Sequence, residues 1–293
     1  MDNILDILPK VRGSYRENTE LKNWFNISAK AQVMFRPADI EDLQNFLKLC
    51  PKEIPINVLG AASNVIIRDE GVAGVVIKLG REFSKISFEN NIIRVGSAAL
   101  CGNVALNAKN KALTNCEFLS GIPGSIGGAV AMNGGCYGSD MSKILVSAKA
   151  IDFKGEIIEI TNHDFGFFYR GSKIAKDYIF VEVLLQCALS DIEEVARKIS
   201  ELNDQREKAQ PIRAKTGGST FKNPEGHKAW ELIDGAGCRG MMEGDAQISE
   251  KHCNFMINTG NASAQNMIDL GNKVRRMVRD TYGVNLEWEI KIL

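Results

Sequence analysis

Apolar positions recur along this chain at two spacings, and the spacing changes near Ile54 and again near Pro211. In Asp39–Cys50, residues Ile40, Leu43, Phe46 and Leu47 fall on one face at helical intervals behind Asp39 as N-cap, which predicts the first helix. From Ile54 to Gln186 short aliphatic runs alternate with glycine, asparagine and aspartate turns. Gly74–Leu79, Ile92–Val95, Leu145–Ile151, Glu156–Ile160 and Tyr178–Leu185 are predicted strands, with one helix over Gly102–Lys111. A second long helix opens at Asp191 with Ile192, Val195, Ala196, Ile199 and Leu202 at helical spacing and ends in the charged stretch Asn203–Lys208. Beyond Pro211 the pattern predicts a polar loop at Arg213–Gly218, a helix within His227–Ala236, and strands near Asn254–Ile257 and Leu286–Ile292. It also predicts a strong helix from Ser263 to Tyr282, with Met267, Ile268, Val274, Met277 and Val278 inward and Gly283 in the left-handed stop position. The pattern is that of an α+β protein, a strand-rich body followed by a smaller α+β tail.

Two segments break the periodicity with small residues. Between Ser120 and Asp140, glycine stands at 121, 124, 127, 128, 134, 135 and 138 among short aliphatic residues. Glycine admits positive φ and close approach of another molecule to the main chain, which suits an anionic ligand held by backbone N–H groups. The second segment, Val58–Gly80, reads as strand, tight loop and strand around Gly60-Ala61-Ala62-Ser63-Asn64, where the Ser63 hydroxyl and Asn64 amide are candidate diphosphate donors. A purely structural turn is the competing reading of both. Neither segment is a P-loop or a G-x-G-x-x-G fingerprint, so a dinucleotide here is bound another way.

Composition narrows the function. The chain has 293 residues, 44% of them hydrophobic, enough for a substantial core in more than one lobe. Lys+Arg and Asp+Glu balance at 36 each, without a basic tract, so neither nucleic acid nor an anionic membrane is an expected partner. No signal peptide and no apolar run of about 18 residues is found, and a cytoplasmic location is expected. The seven cysteines form no C-x-x-C pair, which predicts reduced, mostly buried thiols, and the three histidines show no zinc spacing, so no metal is expected. Nothing in the pattern sets the oligomeric state; a monomer is the expectation.

Seven motifs then appear in order over nearly the whole chain: NWFNISAKAQVMFRP, VLGAASNVIIRDEG, EFLSGIPGSIGGAVAMNGGCYG, FYRGS at 168–172, GGSTFKNPEGHKAWELID, ISEKHCNFMIN at 248–258, and LEWEIKIL. Together they resemble the UDP-N-acetylenolpyruvoylglucosamine reductase family, in its compact type. The resemblance implies a two-lobed FAD-binding domain of the vanillyl-alcohol-oxidase/PCMH type over 1–200, with lobes at about 1–80 and 81–200, followed by a substrate-binding domain over 201–293. It implies noncovalent FAD, NADPH as co-substrate, and a sugar-nucleotide substrate reduced in peptidoglycan precursor synthesis. The cofactor contacts it implies are Gly60, Ala61, Ala62, Ser63 and Asn64 in the first loop, and Gly121, Ile122, Pro123, Gly124, Ser125, Gly127, Gly128 and Ala129 in the second. No histidine precedes His163, which leaves the flavin lobes almost no candidate for a histidyl bond; a cysteinyl link through Cys116 or Cys136 stays open.

Hydride addition to an enolpyruvyl ether places charge on the carboxylate end and leaves the alpha carbon to be protonated. By resemblance Arg170 clamps the carboxylate with Tyr169 beside it, Ser219 is the proton donor with Lys222 as a nearby positive charge, and Asn223 and His252 hold substrate. Period-two alternation puts Glu287, Glu289 and Lys291 on one face of LEWEIKIL, and the motif selects Glu289 as the residue that assists Arg170. A surface arginine, a turn serine, a solvated edge carboxylate and a core histidine are the plain alternatives. The chain departs from the family where GAASN replaces a glycine-richer loop and where Ile27-Ser28-Ala29-Lys30 replaces an I-G-G motif. Alanine tolerates positive φ less well than glycine, so a reshaped diphosphate loop is expected. A flavin oxidase or dehydrogenase of the same fold and a non-catalytic nucleotide-binding protein are the competing functions.

Overall fold

A computed structural model describes residues 4–293. The chain divides into two compact units: the first takes the residues up to Thr19 with Gln32–Ala61 and Ala73–Asp204, the second takes Glu20–Ala31, Ala62–Val72 and Gln205–Leu293. The expected partition was linear in sequence, whereas the second unit also recruits two early segments. The reason is burial, since Phe25, Ile27 and Ile66 belong to the apolar core of the second unit.

In the first unit four of the five predicted strands of the middle region, joined by the unpredicted Ile86–Glu89, form one antiparallel sheet, while Gly74–Leu79 forms as Val72–Ile77 in another sheet. The order of the antiparallel sheet is Ile157–Thr161, Leu145–Asp152, Tyr178–Gln186, Ile92–Gly96, Ile86–Glu89. Helix Cys101–Lys109 buries Cys101, Val104, Ala105 and Ala108 in the same core as Ile93, Val95, Ala148 and Val183. A second core lies under helix Ile40–Leu49, which buries Leu43, Phe46 and Leu47 against Val33, Phe35, Val75 and Ile77. Asp39 caps that helix by accepting the Asp42 N–H at 2.9 Å. Asp42 itself is buried on the apolar face, a position hydrophobic spacing does not anticipate. Its carboxylate accepts the N–H groups of Arg12, Gly13 and Ala38, at 2.7, 2.9 and 2.9 Å, and three donors meet the cost of burying the charge.

Two strands that the pattern did not announce precede this helix, Ser14–Lys22 and Ser28–Arg36. In the second, Ala29, Ala31, Val33 and Phe35 are buried in alternation, but two of them are alanines and Met34 interrupts the period. The strand after the GAASN loop is also not its hairpin partner: Ile56–Val58 pairs parallel with Val72–Ile77, and Val65–Ile66 pairs parallel with Lys291–Ile292 at the other end of the chain. Helix Ile192–Ala209 forms as predicted, yet its apolar stripe is shallow. Val195 is its only buried residue, and Ile192 is half exposed.

The second unit holds an antiparallel sheet in the order Lys215–Ser219, Phe255–Asn258, Ala246–Ile248, Met242–Glu243. The expected polar loop at Arg213–Gly218 is therefore largely a strand, because Lys215 and Thr216 pair with Asn258 and Ile257. Leu286–Ile292 keeps its alternation, with Leu286 and Ile290 buried, but only Lys291–Ile292 pairs as a regular strand; Trp288 bridges to Phe221 alone. Helix Ala264–Tyr282 carries a capping box at Ser263 and Asn266 and stops at Gly283, whose φ is +70°. The Asp69 carboxylate adds bonds to the N–H groups of Ala264 and Gln265, both at 3.0 Å. Among the described residues no helix is long and apolar enough to cross a membrane.

Gly271 sits on the buried face of this helix under the indole of Trp288. A Cβ at 271 would lie 2.0 Å from the ring. Alanine for glycine in a helix stabilises by about 1 kcal/mol from propensity, whereas overpacking costs about 1–3 kcal/mol. Gly271→Ala is accordingly expected to lower the melting temperature, measured on the flavin-loaded protein. An unchanged or higher melting temperature would show that the indole is not locked against the helix.

Candidate functional site

Within the first unit the two small-residue segments meet. A Cβ at Gly60 would stand 2.5 Å from the Ser125 hydroxyl, and one at Gly127 would stand 2.9 Å from the Cβ of Ser97, so bare main chain is what allows both approaches. The glycine-rich segment is threaded along Ser97–Cys101: Ile126 N–H donates to Ala99 O at 2.9 Å, Gly127 N–H to Ser97 O at 2.8 Å, and Cys101 N–H to Gly124 O at 3.0 Å. The Ile126 and Gly127 amides of the segment are consumed by the protein, and so is Ile122 N–H, which donates to Leu119 O at 3.2 Å. The expected grip by main-chain amides is thus narrower than the motif suggests. Two hydroxyls in this region are left over: Ser97 and Ser120 each bury Oγ without a hydrogen-bond partner in the protein. Two buried hydroxyls without protein partners beside bare glycine backbone are polar groups that an extended polar cofactor such as FAD could answer.

The GAASN loop passes from one unit to the other between Ala61 and Ala62. Ala62 takes φ of +52°, so the position that would favour glycine is held in the left-handed region by alanine. A non-glycine residue there costs about 1 kcal/mol. Its carbonyl accepts Trp24 N–H at 3.3 Å. Asn64, expected at the diphosphate, donates Nδ2 to Glu289 O at 3.0 Å, and its own carbonyl accepts Lys291 N–H at 3.0 Å. The loop therefore anchors the closing segment of the chain.

Tyr169 and Arg170 are the two loop residues of a hairpin in which Phe167 pairs with Ser172 and Phe168 with Gly171. Arg170 has φ of +60°, again left-handed. Its Nη1 donates to Gly135 O at 2.8 Å, and the guanidinium lies 5.2 Å from the Tyr169 ring centroid. Phe165 is fully buried and stacks on Phe167 at 4.7 Å, which roots the hairpin in the core.

Ser219 ends its strand just after a register shift between Thr216 and Ser219. Gly218 has φ of +85°, and a Cβ at Gly217 would meet the Phe25 ring at 2.5 Å, so only glycines build this bulge. The bulge re-aims Ser219 relative to the strand before it. The next residue, Thr220, accepts Glu289 N–H on its carbonyl at 2.9 Å. Ser219 and Glu289 are thereby brought onto adjoining stretches of backbone from opposite ends of the C-terminal region.

The remaining expected residues have structural duties. Lys222 pairs with Glu287 through Nζ at 3.2 Å, so its charge is directed to that carboxylate rather than held in reserve for Ser219. Asn223 Oδ1 accepts Ala229 N–H at 2.9 Å at the start of helix Ala229–Gly235. His252 accepts Asn254 N–H on Nδ1 at 3.2 Å, which assigns the other ring nitrogen as the proton carrier in the neutral form. Burial, with the Arg239 charge adding to it, pushes its pKa below the usual histidine value. The ring packs edge-on against Phe255 at 4.9 Å. Cys116 is buried, and a hydrogen bond with Cys187 followed by burial raises its pKa, which makes it an unreactive thiol for covalent flavin attachment. All seven cysteines are free.

A cleft of about 540 Å³ lies elsewhere in the second unit, lined by Lys273, Arg275, Arg276 and Arg279 with Glu243 and Asp269. None of the expected site residues lines it. Its charges are largely answered at home: Lys273 by Glu243, Arg279 by Asp280, and Arg275 by Leu286 O. Sequence reasoning missed Ser97, Ser120 and Asn133 near the glycine-rich segment. The run Gly96-Ser97-Ala98-Ala99 after a strand was the available signal for the first.

Residues 31–161 match the model of an FAD binding domain, and residues 210–293 match that of the UDP-N-acetylenolpyruvoylglucosamine reductase C-terminal domain. The UDP-N-acetylenolpyruvoylglucosamine reductase of Parvibaculum lavamentivorans is 49% identical over 98% of this chain and 94% of its own. That of Anaplasma marginale is 47% identical over 98% and 96%. The crystal structure of UDP-N-acetylenolpyruvylglucosamine reductase from Thermus caldophilus superimposes with a TM-score of 0.82 at 30% identity, covering 97% of this chain and 99% of its own. With both halves matched and near full-length identity of this degree, the chain belongs to the UDP-N-acetylenolpyruvoylglucosamine reductase family, with an FAD-binding domain and a role in peptidoglycan precursor synthesis.

Proposed function

We propose that Arg170, Ser219 and Glu289 carry the reduction of UDP-N-acetylglucosamine enolpyruvate to UDP-N-acetylmuramate, with NADPH as electron donor, noncovalent FAD as carrier and the cytoplasm as its location. The observation that carries the assignment is local to the second unit: the Gly217–Gly218 bulge and the Thr220 carbonyl bring Ser219 and Glu289 onto neighbouring backbone. A turn serine and an edge carboxylate without a shared task need no such construction.

FAD, held by the Gly60–Asn64 and Gly121–Ala129 segments, would supply hydride transfer between NADPH and the terminal vinyl carbon of the enolpyruvyl ether. The chain's own residues deal with the charge and the proton. Arg170 is fixed by its turn and by Gly135 O, and its guanidinium offers a permanent positive charge and a planar fork to the substrate carboxylate. As negative charge spreads over the carboxylate and the alpha carbon, a preorganised cation lowers the barrier without having to reorient. Ser219 donates its hydroxyl proton to the alpha carbon, which converts the enolic intermediate to the lactyl ether. A serine hydroxyl is a weak acid, so the step relies on the strong basicity of that carbon and on rapid reprotonation of the oxygen from solvent. Glu289 assists by polarising the carboxyl end of the substrate. Tyr169 flanks the substrate, and Asn223 and His252 contribute polar contacts to the sugar nucleotide, His252 through its remaining ring nitrogen. The Gly60–Asn64 and Gly121–Ala129 segments hold the cofactor, with Ser97 and Ser120 as further hydroxyl donors.

The test separates the two half-reactions. Ser219→Ala is expected to bleach with NADPH at the wild-type rate and to lose about a hundredfold or more in reoxidation by the enolpyruvyl sugar nucleotide, within the range of general acid catalysis. Reoxidation at the wild-type rate would remove Ser219 from the chemistry. Arg170→Ala is expected to slow the same reoxidation step by about 10²–10³-fold, the usual effect of deleting one electrostatic stabiliser. A change confined to substrate affinity would demote the residue to binding alone.

A further inference from the structure

Asn133 lies just past the glycine-rich helix Ile126–Ala131, is 6% exposed, and has φ of +45°. Asparagine is among the few side chains that accept this backbone, and here both ends of its amide are used. Nδ2 donates to Phe168 O at 3.2 Å, and Oδ1 accepts Ser142 N–H at 2.9 Å. Phe168 is the last paired residue before the Tyr169–Arg170 turn, and from the far side of that turn Arg170 Nη1 returns to Gly135 O. The turn is therefore tied at both sides to the three residues 133–135. Ser142, the other partner, is secured in its turn: its carbonyl and that of Leu145 accept Asn162 Nδ2, both at 2.7 Å, and its hydroxyl donates to Asp140 at 2.5 Å.

We propose that Asn133 is a positioning residue for the reaction, setting the Arg170 turn so that the guanidinium meets a substrate carboxylate in a single orientation. A non-glycine residue at φ of +60° persists only where its surroundings determine it, and the Asn133–Phe168 bond is a polar tie at the residue just before the turn. The same asparagine ends the glycine-rich helix, so one amide joins the cofactor-side segment to the charge-bearing hairpin. The inference rests on the role proposed for Arg170.

The experiment uses the flavin-loaded enzyme and reads reoxidation of NADPH-reduced flavin by the enolpyruvyl sugar nucleotide. Asn133→Gly retains the left-handed backbone and removes both hydrogen bonds. Asn133→Asp retains the acceptor for Ser142 N–H and replaces the donor to Phe168 O with a charged acceptor, so a folding defect in the glycine variant alone does not decide the matter. Both are expected to slow reoxidation about tenfold, the rate equivalent of one well-placed hydrogen bond, with the flavin spectrum and bleaching by NADPH retained. In an Arg170→Ala background the Asn133→Gly substitution is expected to add less than about twofold, because residues acting as one unit are not additive. Wild-type reoxidation by both single variants overturns the proposal, as does an undiminished Asn133→Gly effect in the Arg170→Ala background, which would mark a merely structural role. Should Arg170→Ala itself reoxidise at the wild-type rate, the reading of Arg170 fails, and this inference falls with it.

Discussion

Thr220 is the point through which the second unit is organised. Its N–H donates to Asn254 O at 2.8 Å, its carbonyl accepts Glu289 N–H at 2.9 Å, and its hydroxyl accepts Met256 N–H at 3.1 Å, all from a residue with no exposed surface. A buried backbone segment must satisfy its polar groups, and here two other stretches of chain, residues 254–256 and Glu289, do so at a single residue. The closing segment cannot slide along its neighbour without breaking these bonds together. Trp288 adds an apolar lock, lying over Gly271 and 5.0 Å from the Phe221 ring centroid. The positions of Ser219 and Glu289 follow from that register rather than from any direct bond between their side chains.

The first unit solves a related problem with strain and bare backbone. Arg170 occupies a conformation that costs an ordinary residue about 1 kcal/mol, and the molecule sustains it through the hairpin ladder and Gly135 O. Gly60 and Gly127 approach Ser125 and Ser97 so closely that a methyl group would displace them. Both features lie in the segments to which the proposed function assigns the cofactor and the substrate carboxylate.

The core was the legible part of the fold. Helices with strong apolar stripes, Ile40–Leu49 and Ala264–Tyr282, appear within a residue of their expected ends because cap residues Asp39, Ser263 and Gly283 act locally. Strands in the middle region were equally clear, since β-branched runs between turn residues have few other uses. Less was visible where alanine stands in for larger apolar residues, as in Ser28–Arg36, or where glycines disguise a bulged strand as a loop, as in Lys215–Ser219. The candidate site residues were nominated through motif order alone. Arg170 gives no local hint of its left-handed turn, Asn64 none that its amide serves Glu289, and Asn133 none that it reaches Phe168.

By itself the sequence determined many of the elements, the overall balance of charge and the small-residue segments, because these depend on residue type and on neighbours within a few positions. The tertiary structure alone decided which amides stay with the protein and which hydroxyls are left unanswered. It also decided that residues 20–31 and 62–72 join the C-terminal unit and that Lys222 is paired with Glu287. Those outcomes turn on hydrogen bonds between segments far apart in the chain. No local periodicity encodes them, since the partner of a buried donor is settled only when the whole backbone has taken its register.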